Sequence, residues 1–219
     1  MPKSKRVRTK ALTKTDSKGA KMKMELVEKI REAVDNYKSV YVFSYENMRT
    51  NLFKQVRATL KDSRMFMGKN KVMQIAMGRG EEDEYADNLY KISEDMVGAR
   101  GLLFSNKSVT EVKKVFKQNV GQDYARAGNV ATEDVVFAAG PLPSMPHNMD
   151  EPLRKLGMPV MLKMGVVTLD REFTVCSKGD MLTPEQARIL KHFEYKLAEF
   201  SLNLISRWSK GKYVAEKKK

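Results

Sequence analysis

The chain has 219 residues, 42% of them hydrophobic, enough apolar material for one large or two small packed domains. It holds no apolar run of about 18 residues, and its first apolar residues stand inside a lysine-rich arm, so neither a membrane span nor a secretory leader can be drawn and an intracellular protein is expected. Cys176 is the single cysteine, which excludes an internal disulfide and a cysteine-based zinc cluster, while the net charge of +14 points to an anionic partner.

The charge is unevenly placed. Residues 1–23 carry nine Lys or Arg against Asp16, and residues 205–219 carry six against Glu216, whereas residues 81–204 carry fifteen against nineteen acids. Two basic ends and a basic first third fit a polyanion, because each neutralised phosphate releases condensed counterions. The plain alternative is that lysine-rich ends are solubilising tails. An acidic membrane surface is less favoured, because the basic residues do not alternate with bulky apolar ones as an interfacial helix requires.

Residues 1–18 show no apolar periodicity and read as a flexible basic arm containing Lys3, Lys5, Arg6, Arg8 and Lys10, a cluster that also suits a nuclear import signal. Leu26, Val27, Ile30, Ala33, Val34 and Tyr37 recur at helical spacing and predict a helix over 21–37. The β-branched and aromatic run Ser39–Ser44 predicts a strand, and Asn47 is a plausible cap for a second helix reaching Leu60. That helix buries Leu52, Phe53, Val56 and Leu60, and sets Thr50, Lys54, Arg57 and Lys61 on another face. Arg49 falls on the apolar side by angle, but in the first turn, where a long side chain reaches outward.

Arg64–Met67 reads as a strand, and Gly68-Lys69-Asn70-Lys71 as a turn opening a helix near Val72. A helix N-terminus offers unpaired N–H groups and a partial positive charge; two lysines and a capping Asn there make a phosphate cradle. It is not a mononucleotide loop, since the Gly-x-x-x-x-Gly-Lys-Ser/Thr spacing is missing. The plain alternatives are a glycine turn with solvated lysines and, for Lys54, Arg57 and Lys61, the wet side of an amphipathic helix.

An acidic stretch, Glu81–Asp87, and a short helix lead to a strand at 101–104. Ser108 and Glu111 then form a capping box for a helix carrying Val109, Val112, Val115 and Phe116. This alternation argues for an α/β sandwich with a mixed sheet. Near Gly128 the pattern changes to short strands at 135–137, 160–162, 166–167 and 173–175 around a proline-rich turn, Pro141 to Pro146. Thr183-Pro184-Glu185-Gln186 starts another helix. Residues 200–208 alternate with period two, favouring a strand that returns to the first sheet over a continued helix. The expected organisation is therefore a basic arm (1–18), an RNA-binding α/β domain (19–127 and 182–208), an inserted domain (128–181) and a basic tail (209–219).

Enzyme chemistry is poorly served. His147 and His192 lie in different elements with no Cys or His partner nearby, Cys176 sits in an apolar strand, and the run Glu81–Glu84 suits a solvated helix start better than a cation site. No cofactor or metal is expected.

Met1-Pro2-Lys3-Ser4-Lys5-Arg6, Asn47-Met48-Arg49, Gly68-Lys69-Asn70-Lys71-Val72-Met73, Leu102-Leu103-Phe104, Leu156-Gly157-Met158-Pro159 and Leu182-Thr183-Pro184-Glu185-Gln186-Ala187 form an ordered set that spans nearly the whole chain. It resembles the mRNA turnover protein 4 family, nuclear assembly factors that are paralogues of the ribosomal stalk-base protein, called P-zero or L-ten. The resemblance implies an L-ten-like α/β sandwich with a small inserted α+β domain. It implies binding to large-subunit rRNA at the GTPase-associated centre of the pre-60S ribosomal particle, beside ribosomal protein L-eleven. It also implies residence in nucleus and nucleolus, persistence on late cytoplasmic particles, and removal by a release factor of phosphatase type. The stalk-base protein continues past the equivalent of Trp208 with stalk-binding helices and an acidic tail, so a placeholder at the stalk site is expected, with a permanent ribosomal protein of the same fold as the alternative.

Overall fold

In the computed structural model, which describes residues 19–216, the first element is helix α1, Gly19–Asn36, with Ile30, Ala33 and Val34 on its buried face. The chain divides into two units. One comprises the residues up to Val42, Arg64–Asn106 and the residues from Ser206 on; the other comprises Phe43–Ser63 and Lys107–Ile205. Strands β1 (Ser39–Glu46) and β10 (Ala198–Ser209) each contribute residues to both.

The first unit adds β2 (Arg64–Phe66), α3 (Asn70–Met77), α4 (Tyr90–Glu94), β3 (Arg100–Ser105) and β11 (Lys212–Ala215). Its sheet runs β11-β10-β1-β3-β2. Val40, Tyr41 and Val42 are all buried, as are Leu102, Leu103 and Phe104, so these two strands are covered on both faces, which explains their unbroken apolar runs. β2 pairs antiparallel with β3, and β10 with β11. Helix α1 lies along α3, where the Arg31 guanidinium Nε donates to the Ala76 carbonyl at 3.3 Å. Gly68 permits this approach, because a Cβ there would stand 2.7 Å from Leu26 Cδ2. Gly78, at φ +103°, ends α3; a Cβ would collide with the backbone of Asp83 and Glu84, where the acidic loop folds back.

Residues 212–215 differ from the expected tail: they form a strand. The β10–β11 hairpin is fastened by Trp208 Nε1 donating to the Asp87 carbonyl (2.8 Å), by Asn88 Nδ2 donating to the Gly211 carbonyl (3.2 Å) and by Tyr213 Oη donating to Asp95 (2.9 Å). Four residues, Lys212 to Ala215, give too little periodicity to mark such a strand. Burial, and then the Asp95 carboxylate, push the Tyr213 phenol up to about 12.

The second unit contains α2 (Thr50–Thr59), α5 (Val109–Gln118) and β4 (Gly121–Asp123), whose residues pair antiparallel with the start of β10. It continues with β5 (Val135–Phe137), β6 (Gly140–Pro141), a 3-10 turn (His147–Met149), α6 (Asp150–Lys155), β7 (Val160–Lys163), β8 (Val166–Leu169), β9 (Phe173–Cys176) and α7 (Pro184–His192). β5 pairs with β9, and β6-β8-β7 form a separate three-stranded sheet. Leu153, Val160, Val167, Leu169, Val175 and Leu190 belong to one buried cluster, beside which Phe137 and Phe193 lie with ring centroids 4.2 Å apart. The strands β5, β7, β8 and β9 stand where the sequence placed them, whereas β6 opens the proline-rich turn and α6 follows it, where no element was expected. Residues 200–208 are strand, as favoured.

The capping box expected at Ser108 is present, and the helix start read at Thr183 carries one too. Glu111 accepts from the Ser108 backbone N–H at 2.9 Å, and Gln186 Oε1 accepts from that of Thr183 at 2.8 Å, while each cap oxygen accepts the N–H three residues on. Asn47 is a correction: it is not the cap of α2. It sits at φ +46°, a conformation Asn tolerates better than most residues, and its amide donates to the Glu199 carbonyl at 2.9 Å. Arg49 occupies the N-cap instead, without a side-chain hydrogen bond to the helix.

Candidate nucleic-acid interface

Two basic features stand on the two units. On α2, Phe53 and Val56 are buried while Thr50, Lys54 and Arg57 are exposed, as the helical spacing requires; Leu60, the C-cap, is buried, and Lys61, in the turn beyond the helix, is exposed. The Arg57 guanidinium lies 4.7 Å above the centroid of the Phe53 ring, so its stem covers apolar surface while its charge stays outside.

The second unit itself sets the attitude of this helix. Gly121 in β4 admits Leu52, whose Cδ1 would be 2.9 Å from a Cβ there. Arg49 ties the first turn to the same strand: its Nε stands 2.6 Å from Asp123 Oδ2, and its guanidinium donates to the Tyr124 carbonyl. With its side chain only 13% exposed, Arg49 departs from the expected outward reach. Its charge is paired with an internal carboxylate and one of its terminal N–H groups donates to an internal carbonyl, so it positions the helix rather than facing a ligand.

The turn before α3 belongs to the first unit. Lys69 occupies the N-cap in extended conformation, and its carbonyl accepts the N–H groups of Val72 and Met73. Asn70 corrects the expected cap: it stands inside the first turn, and its amide donates to the Gly98 carbonyl at 2.8 Å. No side chain caps this end of the helix, which leaves the positive end of its dipole to solvent between exposed Lys69 and Lys71. Among the described residues none of Lys54, Lys61, Lys69 and Lys71 is in an ion pair, so each is available to an anion. Lys3, Lys5, Arg6, Arg8 and Lys10 lie outside the described residues.

Sequence reasoning missed Asp123 as the partner of Arg49 and Gly98 as the partner of Asn70. Those contacts span 74 and 28 residues, and no local pattern announces either. The other chemistry-bearing residues are dispersed. His147 and His192 are exposed, while Cys176 is buried, with desolvation pushing its thiol up. Among the described residues no helix is long and apolar enough to cross a membrane, and no three acidic, His or Cys side chains gather to hold a metal.

Comparison with known proteins decides the family. The chain is 38% identical to the ribosome assembly factor mrt4 of Dictyostelium discoideum over 98% of this chain and 96% of that protein. It belongs to the Mrt4 family. The Neurospora crassa factor is 39% identical over 95% of this chain and 90% of its own length. The family described as Ribosomal protein L10 matches residues 18–120, and a second family, described as the insertion domain of the 60S ribosomal protein of the same L10 type, matches residues 125–194. The large ribosomal subunit protein uL10 of Thermococcus sibiricus is 24% identical over 88% of this chain, which spans 57% of that protein. This chain and the ribosomal L10 proteins are thus paralogues, and the α/β architecture expected from the sequence is the one found.

Proposed function

We propose that this protein is a factor of large-subunit biogenesis that binds rRNA at the stalk-base site and holds it until the ribosomal protein of the same family arrives. Relatives named as ribosome assembly factors, matched over almost their full length, support a role in assembly. The observation that carries the rRNA reading is the uncapped N-terminus of α3 between two exposed lysines. It is an arrangement suited to phosphate and not to a base edge. Lys54, Arg57 and Lys61 offer a second, exposed basic contact, and the arm residues from Lys3 to Lys10 a third.

In this reading residues 19–127 and 182–208 form the RNA-binding body, with 128–181 inserted. The neighbours are ribosomal protein L-eleven and a phosphatase-type release factor, and the site of action is nucleolus and nucleus, with late particles in the cytoplasm. Alignment of uL10 along 88% of the chain supports a shared binding surface. Two proteins that use one surface compete by mass action. Titrating purified stalk-base protein into a preformed complex of this protein with the rRNA fragment is expected to displace it with no ternary complex, and a stable ternary complex would overturn the placeholder reading. Sedimentation separates the alternative of a permanent ribosomal protein, which would ride on translating ribosomes instead of nuclear precursors.

A further inference from the structure

The three-stranded sheet of the second unit ends in a hairpin whose composition does not suit open water. β7 and β8 pair Val160 with Leu169, Met161 with Thr168, Leu162 with Val167 and Lys163 with Val166. Val160, Val167 and Leu169 are buried, but Met161, Leu162 and Val166 are exposed, and Met164 at the tip is 105% exposed. The connecting loop is the two residues Met164-Gly165, with φ +49° and +79°. Two consecutive left-handed residues suit Asn-Gly, and Gly165 meets half of that demand. Met164 does not: it holds a long apolar side chain in a conformation that costs free energy, at a place where nothing in the fold uses it. Strain kept at an exposed apolar residue marks a working surface.

We infer that this hairpin is a docking knob, inserted into an apolar pocket with a carboxylate rim on a neighbouring protein of the precursor particle. Charge favours that occupant. From Leu156 to Leu169 the chain has no acid, and its one charged group is the exposed Lys163. Arg154 and Lys155, just before, are already paired with Asp150 and Glu151. One free cation is too few for a wedge into RNA, where several phosphates must be neutralised. A second copy of this chain is disfavoured by size, since stable dimers bury about 800 Å² and roughly 20 to 30 residues a side, and only four apolar side chains are offered here. An apolar anchor with one charge at its rim matches the centre-and-rim pattern of protein interfaces.

The test places p-benzoylphenylalanine at position 164 of the full chain, irradiates isolated large-subunit precursor particles and sequences the cross-linked product. The expected product is one protein peptide carrying apolar residues with Asp or Glu, and Lys163→Glu should lower its yield several-fold. Met164→Asn, which the turn prefers, should leave the unfolding midpoint unchanged or higher and rRNA-fragment affinity unchanged. Particle occupancy should nevertheless fall by about tenfold, the usual weight of an interface anchor. Cross-linking to rRNA, to a second copy or to a peptide without acids overturns the inference, as does a chain retained on the particle without any cross-link. The inference rests on the assembly role proposed above, and the amount of chain on the particle, read from the same gel, tests that role separately.

Discussion

Arg49, at the N-cap of α2, stands 2.6 Å from the carboxylate of Asp123 in β4, and this pair fixes the basic face of the helix without belonging to it. Because the Arg49 side chain is largely buried, removing either partner leaves the other polar group poorly solvated. Arg49→Ala and Asp123→Ala should each cost about 1–3 kcal/mol, and a urea-melt double-mutant cycle should show them strongly coupled. RNA affinity should fall in both variants as the helix loosens. If Arg49→Ala weakens RNA binding with no loss of stability, and Asp123→Ala does not, Arg49 touches RNA directly and the positioning role is wrong.

At α3 the prediction is opposite in kind. Lys69→Glu with Lys71→Glu replaces two exposed, unpaired cations, so the unfolding midpoint should barely move while affinity for an rRNA fragment drops. Wild-type affinity should decrease roughly a thousandfold between about 50 and 200 mM salt if about six phosphates are contacted. The double variant should show a shallower dependence, and filter binding at four salt concentrations measures both slopes. Equal slopes for the two proteins would return the turn to a merely structural role.

Tyr213 predicts alkaline behaviour. Its phenol is pushed up to about 12, first by burial and then by the hydrogen bond to Asp95. An unfolded tyrosine ionises near 10. Between pH 10 and about 12 the unfolded chain therefore releases a proton that the folded chain keeps, and stability is lost as pH rises through that window. Tyr213→Phe should be slightly less stable at pH 8, by about 1 kcal/mol for the lost hydrogen bond, and should lose less on going to pH 11. Denaturant midpoints at the two pH values check this, and identical losses in both proteins would contradict it.

Thr183 caps α7 through the Gln186 N–H, with Gln186 answering on the Thr183 backbone. Thr183→Ala should cost about 1 kcal/mol, whereas Thr183→Ser should be nearly silent. Thermal melts of the three proteins distinguish loss of the cap oxygen from a general intolerance of change at this position.

The sequence announced its structure best where the signal was local. Both capping boxes, the α1 stripe from Leu26 to Tyr37 and the apolar runs of β1 and β3 carry their own periodicity, and each is found where it was read. What stayed hidden depends on distant partners. Asn47 looked like a cap because caps are judged from the next three residues, yet its amide is taken by Glu199 across 152 positions. Arg49 looked outward-bound because its turn gave no sign of Asp123. β11 is four residues long and acquires its strand character from β10, not from its own composition. The exposure of Lys54 and Arg57 followed from helical geometry alone, whereas the end of α2 before Lys61 and the open end of α3, which depends on where Asn70 donates, did not.

The neighbourhood of β1 and β10 also orders events in time. The Ser39 hydroxyl donates to that of Ser209, which in turn donates to the Lys38 carbonyl, joining positions about 170 apart. On a translating ribosome β1 emerges long before the strand that completes its side of the sheet, and at about 5–20 residues per second the interval is on the order of ten seconds or more. Until then an edge of β1 stays open and able to pair wrongly. The first unit can therefore close only after synthesis has passed Ser209, and nascent chains truncated before that point should depend on chaperones that the finished chain does without.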